Sequence, residues 1–241
     1  MSAPALTTHV RRDYPGGANP RLRISVTDVD QWCWWLGEDQ PIEVLRARLQ
    51  RKEPIGDPDR EASRVGTALH KALQLARDGE PMDCLRSQGY TFTVLCEAEI
   101  SLPDVCEVRV QWLLDVDGVS IEVRGRLDGI DAFEVTDHKT GASFDPERMM
   151  SAWQWRIYLC MTGRAVFRWN HFTLRQRAGL PHYDVTEVNV LRAYLPPHPE
   201  AEVRATLAEF VQFALAHELY TGPTAPPAEP QEEPISWEAM V

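Results

Sequence analysis

Asp137 and Lys139 stand two apart in Phe133-Glu-Val-Thr-Asp-His-Lys139, a stretch that reads as a strand closed by Gly141. Period-two geometry sends both side chains to one face and His138 to the other. A carboxylate in such a place can bind a hard divalent cation, Mg²⁺ or Mn²⁺. An ammonium two residues on can hold or deprotonate an attacking water. Alone the pair is commonplace, and a solvated surface pair fits the same residues.

Three other groups make the pair worth following. Upstream, Arg124-Gly-Arg-Leu-Asp128-Gly-Ile130 reads as the end of an adjacent antiparallel strand, so that Asp128 can come alongside Asp137 and supply a second carboxylate. A turn capped by Asp128 is the plainer reading. Gly66 and His70 lie one turn apart on a helix. Gly66 costs that helix roughly 1 kcal/mol relative to alanine, which points to a close approach of backbone to something else. His70 offers an imidazole ligand there, although a lone helical histidine is more often a satisfied core or surface group. Gln154 and Tyr158, four apart, share a helical face and can hydrogen-bond or stack, whereas Trp153, Trp155 and Ile157 suit the core.

These residues need elements to position them. Residues 61 to 77 place Val65, Leu69, Ala72 and Ala76 on one helical stripe. Residues 93 to 102, 105 to 116 and 121 to 130 read as strands. A helix from Pro146 to Met161 has Asp145 as N-cap and Gly163 as its stop. Residues 165 to 174 and 183 to 194 read as two further strands. An amphipathic helix from Glu200 to Leu219 turns Val203, Leu207, Phe210 and Ala214 inward. The fold class is therefore α/β in the α+β sense, a central mixed sheet flanked by helices.

Residues 1 to 23, with Pro4, Pro15, Gly16, Gly17, Pro20 and four arginines, read as a flexible basic arm. Residues 222 to 241, proline-rich with four glutamates and no basic residue, read as an acidic tail whose Ile235 and Trp237 offer a docking motif. Residues 24 to 221 remain as one domain. No stretch approaches the roughly 18 apolar residues of a membrane span, and no signal-peptide core is visible, so a soluble cytoplasmic protein with no membrane partner is expected. The five cysteines are scattered and never in a C-x-x-C pair, which argues against a disulfide framework or a zinc site; they are expected reduced and mostly buried. The net charge is -11, yet residues 121 to 177 sum to +2, so positive charge gathers where the candidate residues lie. Lysine is scarce, 3 against 22 arginines, and one of the three is Lys139. Lysine, unlike arginine, can exchange a proton with water.

The order G-x-x-x-H, G-x-x-D, D-x-K-T-G, Q-x-x-x-Y is far more specific than any part. It resembles the RecB-like branch of the PD-(D/E)XK nuclease superfamily, the branch that holds CRISPR-associated adaptation nucleases and phage recombination exonucleases. The resemblance covers roughly residues 24 to 160 and includes the segment from Ile24-Ser25 to Trp32-Cys33. It implies a restriction-endonuclease-like core and a DNA exonuclease dependent on one or two Mg²⁺ or Mn²⁺ ions, serving recombination or repair, in a bacterial or phage-infected cell. His70, Asp128, Asp137 and the His138 carbonyl would bind metal, with Glu99 a less certain ligand. Lys139 would be catalytic, with Gln154 and Tyr158 beside it near the DNA. Arg124, Arg126 and Arg156 would line a basic channel for DNA ends or single strands. Many relatives carry an iron-sulfur cluster on four cysteines; only Cys33 and Cys160 lie near such places here, so none is expected. A structure-specific endonuclease and a non-catalytic DNA- or protein-binding subunit are the alternatives, and the tails offer a site for an annealing or single-strand-binding protein.

Overall fold

The central hairpin follows from alternation. Val108, Val110, Trp112, Leu114 and Val116 are all buried along β5 (Val105–Val116), while the residues between them are not. Asp117 and Gly118, both at positive φ, turn the chain into β6 (Val119–Ile130). The computed structural model describes residues 8–13, 20–50, 59–79, 82–97, 100–178 and 180–220. Among them lie seven further strands: β1 (Thr8–Arg12), β2 (Leu22–Ser25), β3 (Cys84–Ser87), β4 (Tyr90–Val94), β7 (Glu134–Gly141), β8 (Val166–Gln176) and β9 (His182–Tyr194). They join one mixed sheet of order β1-β5-β6-β7-β8-β9-β4-β3, with β2 added beside β6.

Helices cover both faces. α1 (Val26–Leu36), α2 (Ile42–Leu49), α5 (Gln154–Thr162) and α6 (Pro199–Ala216) share one apolar core with β5, β6 and β8, including Trp32, Leu45, Trp112, Ile157 and Phe210. α3 (Asp59–Arg77) packs Val65, Ala68, Leu69, Ala72, Leu73 and Ala76 against Leu85, Phe92, Phe172 and Val185 in a second core. Each large side chain so buried contributes about 1.5–3 kcal/mol. The α+β class with a mixed sheet between helices is as the sequence indicated. Val203, Leu207, Phe210 and Ala214 of α6 face inward as expected.

Four local expectations fail. Thr8–Arg12, assigned above to a flexible arm, runs as a strand parallel to β5, anchored by Asp13, which accepts from the buried Trp112 indole at 2.6 Å. Leu22 and Arg23, the end of that arm, begin β2. The strand at 93 to 102 stops at Val94, the last residue in register with β9, and one further bond runs from the Leu95 N–H to the Val185 carbonyl. The helix from Pro146 is two helices: α4 (Pro146–Ser151), N-capped by Asp145 as expected, then a break where Ala152 is extended, then α5. Of the cysteines, all free, only Cys160 is buried. The tail at 222 to 241 lies outside the described residues.

Candidate active site

One edge of β6 is shared between two strands. β2 pairs with Ile121–Arg124, and β7 pairs only with Gly129 and Ile130, so residues 125 to 128 have no strand on that side. The gap is filled by side chains. Tyr158 packs its ring over Gly125, where a Cβ would lie 2.3 Å from the ring, and donates its hydroxyl to the Arg126 carbonyl at 3.1 Å. The Asp128 carboxylate accepts the His138 backbone N–H at 2.7 Å, taking the place of a ladder carbonyl.

The sequence-predicted groups converge at this gap. His70 Nδ1 lies 3.1 Å from Asp128. Gly66 lets α3 come this near, since a Cβ there would sit 3.2 Å from the Thr140 hydroxyl on β7. Lys139 donates to Asp137 Oδ1 at 3.1 Å and reaches Gln154 Oε1 at 3.5 Å. Asp137 is 8% exposed. Its Oδ2 accepts no hydrogen bond, although the ammonium lies 2.9 Å away outside hydrogen-bonding geometry. His138 points to the opposite side, against Phe172 and Asn170.

Electrostatics divides these groups into two pairs. Burial pushes Asp128 up, but the hydrogen bond and charge of His70 outweigh it and hold the carboxyl at about 2. Burial lowers His70, and Asp128 reverses the effect, so His70 ends above its ordinary value. Burial raises Asp137 against the pull of Lys139. Desolvation pulls Lys139 down, and Asp137 more than compensates. In this arrangement Lys139 is therefore an ammonium, able to orient a water or a phosphate oxygen rather than to accept a proton. Burial drives His138 down to about 4, leaving its ring neutral.

One neighbour was not legible in the sequence. Asp30, on α1 and 4% exposed, accepts the backbone N–H groups of Trp153 at 2.6 Å and Gln154 at 3.2 Å. It thereby caps α5 from another element, where α5 has no side-chain cap of its own. Burial raises its pKa to about 6. Two acids at Asp28 and Asp30 inside a mostly apolar helix were the available signal. Asp28 serves locally, accepting from the Ser25 N–H and the Tyr220 hydroxyl.

Other expectations are not met by the geometry. Tyr158 is 3% exposed, below the site rather than in contact with its opening. Gly125 faces α5, so Arg124 and Arg126 project the other way, and the three arginines do not line one channel. Arg124 pairs with Glu122, Arg126 with Glu107, and Arg156 with the carbonyls of Met150 and Ala152 at the α4–α5 break. Glu99 lies outside the described residues.

The residues suit a hard divalent cation by type, offering carboxylates, one imidazole and the His138 carbonyl. The buried Asp137 Oδ2 without a donor is the atom that such a cation would satisfy. Among the described residues no three His, Cys, Asp or Glu side chains stand gathered about one point, because His70 is held by Asp128 and Asp137 by Lys139.

No protein-family model matches the chain, nor does any curated protein sequence. Similar solved structures include SSO0001, at 15% identity and TM-score 0.47, covering 83% of this chain and 79% of that one. Another is LHK-Exo in complex with dAMP, at 16% identity and TM-score 0.41, covering 81% and 89%. A third is a protein provisionally named an exonuclease from Eubacterium rectale, at 10% identity and TM-score 0.46, covering 90% and 92%. No helix among the described residues is long and apolar enough to cross a membrane.

Proposed function

We propose that the chain is a deoxyribonuclease dependent on Mg²⁺ or Mn²⁺ that hydrolyses phosphodiester bonds from DNA ends. The observation that carries this reading is the gap beside residues 125 to 128, where Asp128, Asp137, Lys139 and His70 meet and Asp137 Oδ2 has no donor. When bound, the cation supplies charge stabilisation to the phosphate and lowers the pKa of water. Asp128, Asp137, His70 and the His138 carbonyl would hold it. The Lys139 ammonium, steadied by Gln154, directs its protons at the attacking water or a non-bridging oxygen as charge develops there. Tyr158 keeps the 125 to 128 backbone in place beneath them.

Action at ends rests on charge. Non-specific hold on a duplex scales with the phosphates neutralised, and a chain of net charge -11 whose nearby Arg124, Arg126 and Arg156 already have internal partners has few cations to spare. Linear duplex, linear single strands and covalently closed circles, compared with Mn²⁺, Mg²⁺ or chelator, test both parts. Metal-dependent loss of linear DNA with circles spared is the expected result. Equal rates on circles would make it an endonuclease, and no cleavage of any form would refute the nuclease reading.

A further inference from the structure

A cleft of about 470 Å³ opens beside Lys139, lined by residues of α1, α4, the start of α5, β7 and the middle of β8. Its volume falls in the roughly 300–1,000 Å³ range of small-molecule sites. Lys139, Gln154, Gln31, Trp34 and Arg148 are in its lining, together with Asp30. The Arg148 guanidinium carbon lies over the half-exposed Trp34 ring, 5.2 Å from its centre, so an aromatic ring and a cation stand together in the lining.

His171 is also in the lining, beside Lys139 in the parallel register of β7 and β8. It is 3% exposed, and its Nδ1 has no hydrogen-bond partner. The ring lies against Gly141, where a Cβ would approach Nε2 to 3.0 Å, and 5.5 Å from the Phe144 ring. Burial lowers its pKa, so at neutral pH it is an uncharged ring with one nitrogen unused. Nothing in the active site described above employs this nitrogen. Buried polar atoms without partners are rare, and this one belongs to a ring in the lining of the cleft, beside Lys139.

We propose that the cleft is the subsite for one unstacked nucleotide flanking the hydrolysed bond, and that His171 contacts that nucleotide directly. The base lies on the Trp34 indole, its phosphate is directed to Lys139, and His171 Nδ1 hydrogen-bonds to the nucleotide from the floor. This rests on the nuclease reading, and it predicts binding that can be measured without catalysis.

The experiment titrates the intact chain, in chelator, with each deoxynucleoside 5′-monophosphate and with deoxyribose 5-phosphate, by calorimetry. A monophosphate should bind about tenfold or more tightly than deoxyribose 5-phosphate, the part due to base stacking. Trp34→Ala should abolish that preference while leaving deoxyribose 5-phosphate binding unchanged. His171→Ala should weaken the monophosphate about fivefold or more, and His171→Gln, whose amide restores an acceptor, should recover most of the loss. Equal affinity for both ligands in the parent chain overturns the proposal, as does Trp34→Ala or a folded His171 variant with unchanged monophosphate binding. If His171→Ala does not fold, Trp34→Ala and His171→Gln decide. Nucleotide binding through Trp34 and His171 without DNA cleavage would uphold the subsite while refuting the nuclease. Cleavage with binding indifferent to both residues would do the reverse.

Discussion

Replacing Asp30 by asparagine should stabilise the metal-free protein at neutral pH. The asparagine Oδ1 can still accept from Trp153 and Gln154, so the cap on α5 survives while the buried charge is removed. The Asp30 carboxyl titrates at about 6 in the fold against an ordinary 3.8, with burial the largest cause. Between those values the folded chain binds more protons at Asp30 than the unfolded chain. Its contribution to stability is therefore fully present below about pH 4 and is lost as pH rises through about 6. At about 1.36 kcal/mol per pH unit, the gap amounts to about 3 kcal/mol. Asp30→Asn should then exceed the parent by up to about 3 kcal/mol at pH 7.5, with the difference vanishing near pH 4. Urea unfolding of both proteins in chelator at pH 4, 5, 6 and 7.5 measures it. A variant less stable than the parent at pH 7.5, or an offset independent of pH, would refute the reasoning.

Asp128→Ala, Asp137→Ala and Lys139→Ala should each lower release of acid-soluble nucleotides from linear DNA by about 10²-fold or more while leaving the circular dichroism spectrum native. Gly125→Ala drives a Cβ to 2.3 Å from the Tyr158 ring and should destabilise the fold by about 1–3 kcal/mol in denaturant unfolding; an unchanged midpoint would mean the ring is not packed there. Asp13→Ala strands the Trp112 indole N–H, on a fully buried residue, and should cost about 1–3 kcal/mol by the same measurement, whereas a truly flexible arm would cost nothing.

The candidate site was legible wherever chemistry and local periodicity coincide. Asp137 and Lys139 share a face because strands alternate, and Gly66 marked the close approach of α3 because a helix tolerates glycine poorly without a packing reason. Tyr158 was misplaced because four-residue spacing says which residues share a helical face but not whether that face looks inward or out. Arg124 and Arg126 were misjudged for a related reason. Glu107, the partner of Arg126, lies on β5 and comes near only through the sheet register, whereas Glu122, the partner of Arg124, stands two residues away on the same face of β6. Thr8–Arg12 looked unstructured because it forms a single edge strand whose support comes from β5, some hundred residues on.

By itself the sequence determined the class of the fold, the main strands and helices, and the placing of Asp137 and Lys139 on one face of a strand, since these depend on side-chain type and short-range period. Only the tertiary structure decided that β6 would share one edge between β2 and β7 and leave the gap beside which Asp128, His70, Asp137 and Lys139 stand. It alone brought Asp30 under the first turn of α5 and set His171 beside Lys139. Strand order and register are fixed by the burial of two apolar cores at once, a condition on the whole chain, and no local pattern carries it.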